Sequence, residues 1–147
     1  MYRIVSISTP EAGLLVANAS SIVVAGSERG GPCRHCLRES QPGERLALTG
    51  YRPFDAPNPY AETGPIFLHA DGCERYAAQS VLPENYRTRP LVLRAYDARH
   101  WIADAKLAAP GAFEETLAAL LAGEGVSYVH ARHVAYGCYA FRVERAP

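Results

Sequence analysis

No stretch of this sequence carries an apolar run near the roughly 18–20 residues that span a bilayer, so no membrane partner is expected. The opening residues, MYRIVSISTPEAGLLVANASS, lack a basic start followed by a long apolar segment, and no signal peptide is expected. Net charge is missing as well. Fifteen Lys and Arg balance fifteen Asp and Glu, which argues against a nucleic-acid binder that works by broad phosphate neutralisation. The same balance removes one barrier to self-association, so a homodimer fits the composition. Internal repeats, low-complexity tracts, a P-loop, a dinucleotide fingerprint, and HExxH or GxSxG elements are all lacking. Cysteine is sparse, with Cys33, Cys36, Cys73 and Cys138 making up the set. With no export signal the expected location is cytoplasmic, where disulfides are rare. The four are therefore expected to be free thiols, metal ligands or reactive groups.

What is present is ordinary globular material. Hydrophobic residues make up 48% and charged residues 20%, both near globular averages, and 147 residues suit a single domain over 1–147. Short strands are expected at 2–6, 22–24, 45–51 and 66–69, and a short helix over 10–17 with Thr9 as N-cap and Pro10 at its first position. Asp71, with Glu74 three residues on, reads as a capping box opening a helix over 72–79. Alternation over 91–96 and 101–107 gives a hairpin, with Leu91, Leu93 and Ala95 on one side and Trp101, Ala103, Ala105 and Leu107 on the return. Trp101 is expected in the core. Phe113, Leu117, Leu120 and Leu121 place a helix over 112–122, closed by Gly123. A second hairpin joins 127–132 to 138–143. The class is α+β, a mostly antiparallel sheet built from hairpins with two or three short helices. The aromatic loop from Pro53 to Gly64 either walls a pocket or covers a sheet edge.

Chemistry concentrates in two segments, Pro32-Cys33-Arg34-His35-Cys36-Leu37-Arg38 and Phe67-Leu68-His69-Ala70-Asp71-Gly72-Cys73. Together they read C-x2-C, a 32-residue gap, then H-x3-C. Two cysteines separated by a tight turn converge on one ion, and Cys33, Cys36, His69 and Cys73 make a Cys₃His zinc set of the closed, structural kind. Two other readings stand beside it. Reduced cysteines also pack as small hydrophobes. And Arg34, His35 and Arg38 beside Cys33 would stabilise a thiolate, as a helix N-terminus would at Cys73.

The final hairpin is the second constellation. With 133–137 as its loop, Arg132 faces Cys138 and Tyr128 faces Arg142 across the strands. Tyr128, His130 and Arg132 share one face, while Val129, Tyr139, Phe141 and Val143 belong to the core. Such a face is either solvated surface or, since arginine and tyrosine suit carboxylate and phosphate, a site for a small anionic ligand. The candidate ligand-binding residues are Arg34, Tyr128, His130, Arg132 and Cys138.

The run Gly31-Pro32-Cys33-Arg34-His35-Cys36-Leu37-Arg38, then Pro42-Gly43-Glu44, Pro59-Tyr60 and Gly64-Pro65-Ile66-Phe67-Leu68-His69, resembles the bacterial DUF1203 family, as does the ending Tyr128-Val129-His130-Ala131-Arg132 with Gly137-Cys138-Tyr139 and Arg142. The similarity includes Cys33, Arg34, Arg132 and Cys138, and the family implies no activity, substrate or cofactor. Three functions are consistent with these residues. The first is a small cytosolic binding module with an Arg/His pocket, fastened by zinc at Cys33, Cys36, His69 and Cys73. The second is a thiol-dependent or redox enzyme with Cys33 as nucleophile and Arg34 as its electrostatic activator. The third is an interaction protein or homodimer with inert buried thiols.

Overall fold

Short alternating segments separated by Gly and Pro turns can bury one face each only by pairing, and they do so in two sheets. The computed structural model describes residues 1–27, 29–77 and 79–147. In chain order the elements are β1 (Tyr2–Val5), α1 (Thr9–Ala17), β2 (Ser21–Val24), β3 (Arg45–Tyr51), β4 (Gly64–His69), α2 (Glu84–Arg87), β5 (Leu91–Tyr96), β6 (Ile102–Ala108), α3 (Phe113–Leu121), β7 (Tyr128–His133) and β8 (Tyr139–Arg145). A five-stranded sheet runs β1-β8-β7-β5-β6 and a three-stranded sheet runs β2-β3-β4. Every strand pairing in both is antiparallel, which makes the fold α+β and mostly antiparallel sheet. No helix among the described residues is long and apolar enough to cross a membrane.

The main core lies on one face of the larger sheet. Leu91, Leu93, Val129, Phe141 and Val143 meet Phe113, Leu117 and Leu120 of α3 there. Each such side chain contributes about 1.5–3 kcal/mol on burial. A second cluster joins Ile7 and Ala12, under α1, to Cys33, Cys36, Ile66 and Leu68. The helix α3 ends at Gly123, where a Cβ would come within 3.0 Å of the Leu120 carbonyl oxygen and 3.2 Å of Val126. The helix α1 is capped by Ser8 and not by Thr9. The Ser8 hydroxyl accepts the Glu11 N–H at 3.4 Å, and Pro10 falls in the first turn, where its missing N–H is not needed. The Thr9 hydroxyl is thereby free for another use.

Four further local expectations are overturned. The segment after Asp71 is not helical over residues 72–77, and residue 78 of the expected helix lies outside the described residues. Gly72 takes φ +89°, and the Asp71 carboxylate pairs with Arg45 at 2.6 Å instead of capping. The chain is then held by tertiary backbone bonds, Tyr76 N–H to the His35 carbonyl and Ile4 N–H to that of Gln79. A short helix with one capping signal does not outweigh those bonds, and so no helix N-terminus acts on Cys73. The second overturned expectation is the face of β6. Leu107 is 63% exposed and Trp101 47%, the latter under the Arg99 guanidinium at 4.9 Å. The strand is an edge, and the side with Ala105 and Leu107 is the side of Arg94, not of the core.

The third is the register of the last hairpin. Tyr128 faces Glu144 and Arg132 faces Tyr139, because Ala131 faces Phe141 and Ala140 is left over as a bulge. The fourth follows from it. A bulge flips the following side chain, so Tyr139 leaves the core face and stacks its ring 5.0 Å from His130 and 5.5 Å from Tyr51.

Candidate metal centre

The turn that carries the C-x2-C pair is closed by its own backbone. Cys33 N–H donates to the Arg38 carbonyl at 3.0 Å and Leu37 N–H to that of Cys33 at 2.8 Å. Leu37 sits at φ +63°, a rare conformation for a bulky residue, and its side chain is locked in the main core. That buried anchor fixes the direction in which the two thiols point. Arg34 N–H then donates to the Phe67 carbonyl at 3.0 Å, and a parallel bridge between Cys33 and Phe67 lays the turn beside the end of β4. His69 closes that strand, and the turn through Gly72 returns Cys73 to the same spot. The long gap between the motifs is thus spanned by one strand pairing.

The result is a compact set of four ligand atoms. The Cys33, Cys36 and Cys73 sulfurs and a His69 ring nitrogen all lie within 4.8 Å of one another. Cys33 Sγ and Cys73 Sγ are 3.8 Å apart, and Cys36 Sγ is 3.5 Å from His69 Nδ1. A tetrahedron with Zn–S near 2.3 Å and Zn–N near 2.05 Å has S–S edges of about 3.8 Å and S–N edges of about 3.6 Å. A disulfide would require about 2.05 Å, and all four cysteines are free.

The surrounding hydrogen bonds orient this set. His69 Nε2–H donates to Glu44 Oε1 at 3.0 Å, which leaves the Nδ1 lone pair turned inward to the sulfurs. The Gln41 N–H at 2.6 Å and then His69 hold the Glu44 carboxyl below its usual pKa. The N–H groups of His35 and His69 each donate to Cys33 Sγ at 3.4 Å. His35 Nδ1 lies 3.1 Å from Cys73 Sγ, and its Nε2 meets the free Thr9 hydroxyl at 2.9 Å. Thr9 can donate there, which makes Nδ1 the protonated nitrogen that donates to sulfur. Hydrogen bonds from the Cys36 and Cys73 thiols pull the Cys33 pKa far down, and the same sharing pushes Cys36 and Cys73 up. The cluster by itself holds one negative charge comfortably, and a divalent cation stabilises three.

Arg34, expected to activate Cys33, is not among the donors to its sulfur, which are the N–H groups of His35 and His69. It is buried, with Nε donating to the Tyr139 carbonyl at 2.7 Å and Nη1 to that of Pro32 at 2.5 Å. It ties the metal turn to the bulge of the larger sheet. The five candidate ligand-binding residues do not gather at one cavity. Arg34 and Cys138 line one of about 460 Å³, and Arg132 and Cys138 line one of about 270 Å³. Tyr128 lines a third of about 260 Å³ with Arg142 and His100. His130 is sealed under Phe54 and Tyr96, because the aromatic loop covers the polar face of the sheet.

Nothing in the sequence pattern points to Glu44 or Thr9, although the Pro42-Gly43-Glu44 element stands in view, and His35, expected there as a cation beside Cys33, is held below its usual pKa by burial and lies against Cys73. Glu44→Ala is expected to weaken the affinity of the cluster for a metal ion about 10–100-fold with little change in fold. Competition against a chromophoric chelator measures this, and an unchanged affinity would count against His69 as a ligand.

No curated protein and no solved structure matches the chain. A family profile does match, over residues 30–145, a span that includes all four cluster residues and both hairpins. Its description is "Protein of unknown function (DUF1203)", and the chain belongs to that family.

Proposed function

We propose that this protein is a binding module in which one structural zinc ion at Cys33, Cys36, His69 and Cys73 fastens the turn at 32–38 to the end of β4 and to the segment at Cys73. The observation that carries this reading is the gathering of three sulfurs and one ring nitrogen within 4.8 Å of one another, with the Cys33–Cys73 and Cys36–His69 separations, 3.8 and 3.5 Å, close to the edges of a zinc tetrahedron. The Glu44–His69 bond supports it independently, because it selects the ring nitrogen that faces the sulfurs. Three soft thiolates and an imidazole in a four-cornered arrangement suit zinc over magnesium or calcium. Four protein ligands leave no corner open for water, the pattern of a structural site and not of a hydrolytic one. Cys33 lies wholly buried and accepts two backbone N–H bonds, which favours a ligand over a nucleophile that must reach a substrate.

Elemental analysis of protein purified without added metal should give about one zinc per chain. In the native state one cysteine, Cys138, should react readily with a thiol reagent, and all four should react after chelation. Metal-free protein whose three clustered thiols label freely while the fold is intact would end this reading.

A further inference from the structure

We infer that the cavity between the Pro32–Arg38 turn, the β3–β4 hairpin and the β7–β8 turn binds a small monocarboxylate with an apolar body. The inference goes beyond the metal reading and does not depend on it. The cavity measures about 460 Å³, within the range that holds small organic ligands. Its walls are apolar, from Leu48, Pro65, Ile66 and Phe67, and its basic end is formed by Arg34, Arg89 and His133.

Charge decides what fits that end. Arg89 is matched by Glu39, Nη2 to Oε2 at 2.9 Å. Arg34 is 4% exposed, and its Nε and Nη1 are used on two carbonyls. Among the described residues it has no carboxylate partner, and its Nη2 has no hydrogen-bond partner. His133 Nε2 is buried without a partner among the described residues. Burial first, then the two arginines, keeps this imidazole neutral at pH 7, with its pKa pushed down to about 4. The end of the cavity therefore holds one unbalanced positive charge and one neutral imidazole nitrogen. A buried guanidinium without a counter-ion is costly, and a carboxylate matches its flat donor edge. A phosphate dianion would leave a surplus negative charge against apolar walls. The hydrocarbon part of the ligand follows from Ile66, Phe67 and Leu48.

Cys138 lines the same cavity, and it offers a second readout. Protein of residues 1–147, purified without added metal or chelator, would be titrated calorimetrically with phenylacetate and with hexanoate, against phenylacetamide and inorganic phosphate. In parallel, alkylation of Cys138 by iodoacetamide would be followed by mass spectrometry. The expected result is saturable carboxylate binding at or below about 1 mM, at least about tenfold weaker for the amide, with Cys138 protected in step with occupancy. Leu48→Trp, which fills the cavity without touching the basic end, should abolish both binding and protection while zinc content and melting stay native. Arg34→Lys should weaken binding about tenfold where it folds. No carboxylate binding at about 10 mM, equal binding of the amide, tighter binding of phosphate, or binding that survives Leu48→Trp would each overturn the inference. Zinc content, read on the same samples, separates failure of this inference from failure of the metal reading.

Discussion

Cys33→Ser protein is expected to carry less than about one-tenth of the zinc of the parent and to melt roughly 15–20 °C lower. Cys33 is the centre of the cluster. Its sulfur lies 3.8 Å from Cys73 and accepts the N–H groups of His35 and His69. Serine shortens the reach, removes the soft thiolate and leaves two amide donors poorly matched in a buried site, each worth about 1 kcal/mol. Loss of the ion releases the turn at 32–38, the end of β4 and the segment at Cys73 from one another. Structural zinc contributes about 10–16 kcal/mol in small fingers that are otherwise unfolded. Here the main core around Phe141 and Leu117 stands apart from the cluster, so a loss of order 5 kcal/mol is expected, not complete unfolding. Cys138→Ser is the control and should melt within about 2 °C of the parent. Equal zinc and equal melting in Cys33→Ser would remove the cluster from any account of stability.

Acid should destabilise the protein through His130 more than through any other single side chain. The ring is wholly buried among Phe54, Tyr96, Tyr128 and Tyr139, at centroid distances of 5.0, 4.9, 5.2 and 5.0 Å, and neither nitrogen has a partner among the described residues. Burial pushes its pKa down to about 3, and Arg142, Arg132, Arg94 and His100 add to the shift. Unfolded, the same imidazole titrates near 6.5. Above pH 6.5 both states are neutral and the native stability is intact. Below it the unfolded chain binds a proton that the native protein excludes. Stability therefore falls with a slope that approaches about 1.4 kcal/mol per pH unit until the native pKa is reached, which is about 2.5 kcal/mol between pH 6 and pH 4. His133 follows the same sign over a narrower window, down to about 4, and adds less because it is partly solvated. Urea unfolding at pH 7, 6, 5 and 4.5 would measure this in parent and His130→Phe proteins. The difference between them cancels acid release of metal. Parallel curves for the two proteins would show that His130 titrates alike folded and unfolded.

The sequence made legible whatever rests on local pattern. The strands at 45–51 and 91–96, the helix at 113–121 and the four cluster residues all follow from spacing and ligand type. Arg34 is different, since its partner, the Tyr139 carbonyl, lies 105 positions away and has no sequence signal. The Asp71 capping box was a correct local signal that lost to backbone bonds from Ile4 and His35 and to an ion pair with Arg45. The bulge at Ala140 was hidden because Tyr139, Phe141 and Val143 alternate as faultlessly as a regular strand would. The polar face of β7 looked solvated because nothing in its own residues announces that Phe54 and Tyr60 fold over it.

Cys33 and Arg34 are neighbours at the start of the turn that is bridged to Phe67, and one side chain turns to the thiol cluster while the next turns to the cavity. A single peptide plane, with alpha carbons about 3.8 Å apart, is the whole partition between the two compartments. Any engineering of this family's fold must treat them as one wall seen from two rooms: a change that tilts that plane to suit the ion will also redirect the guanidinium.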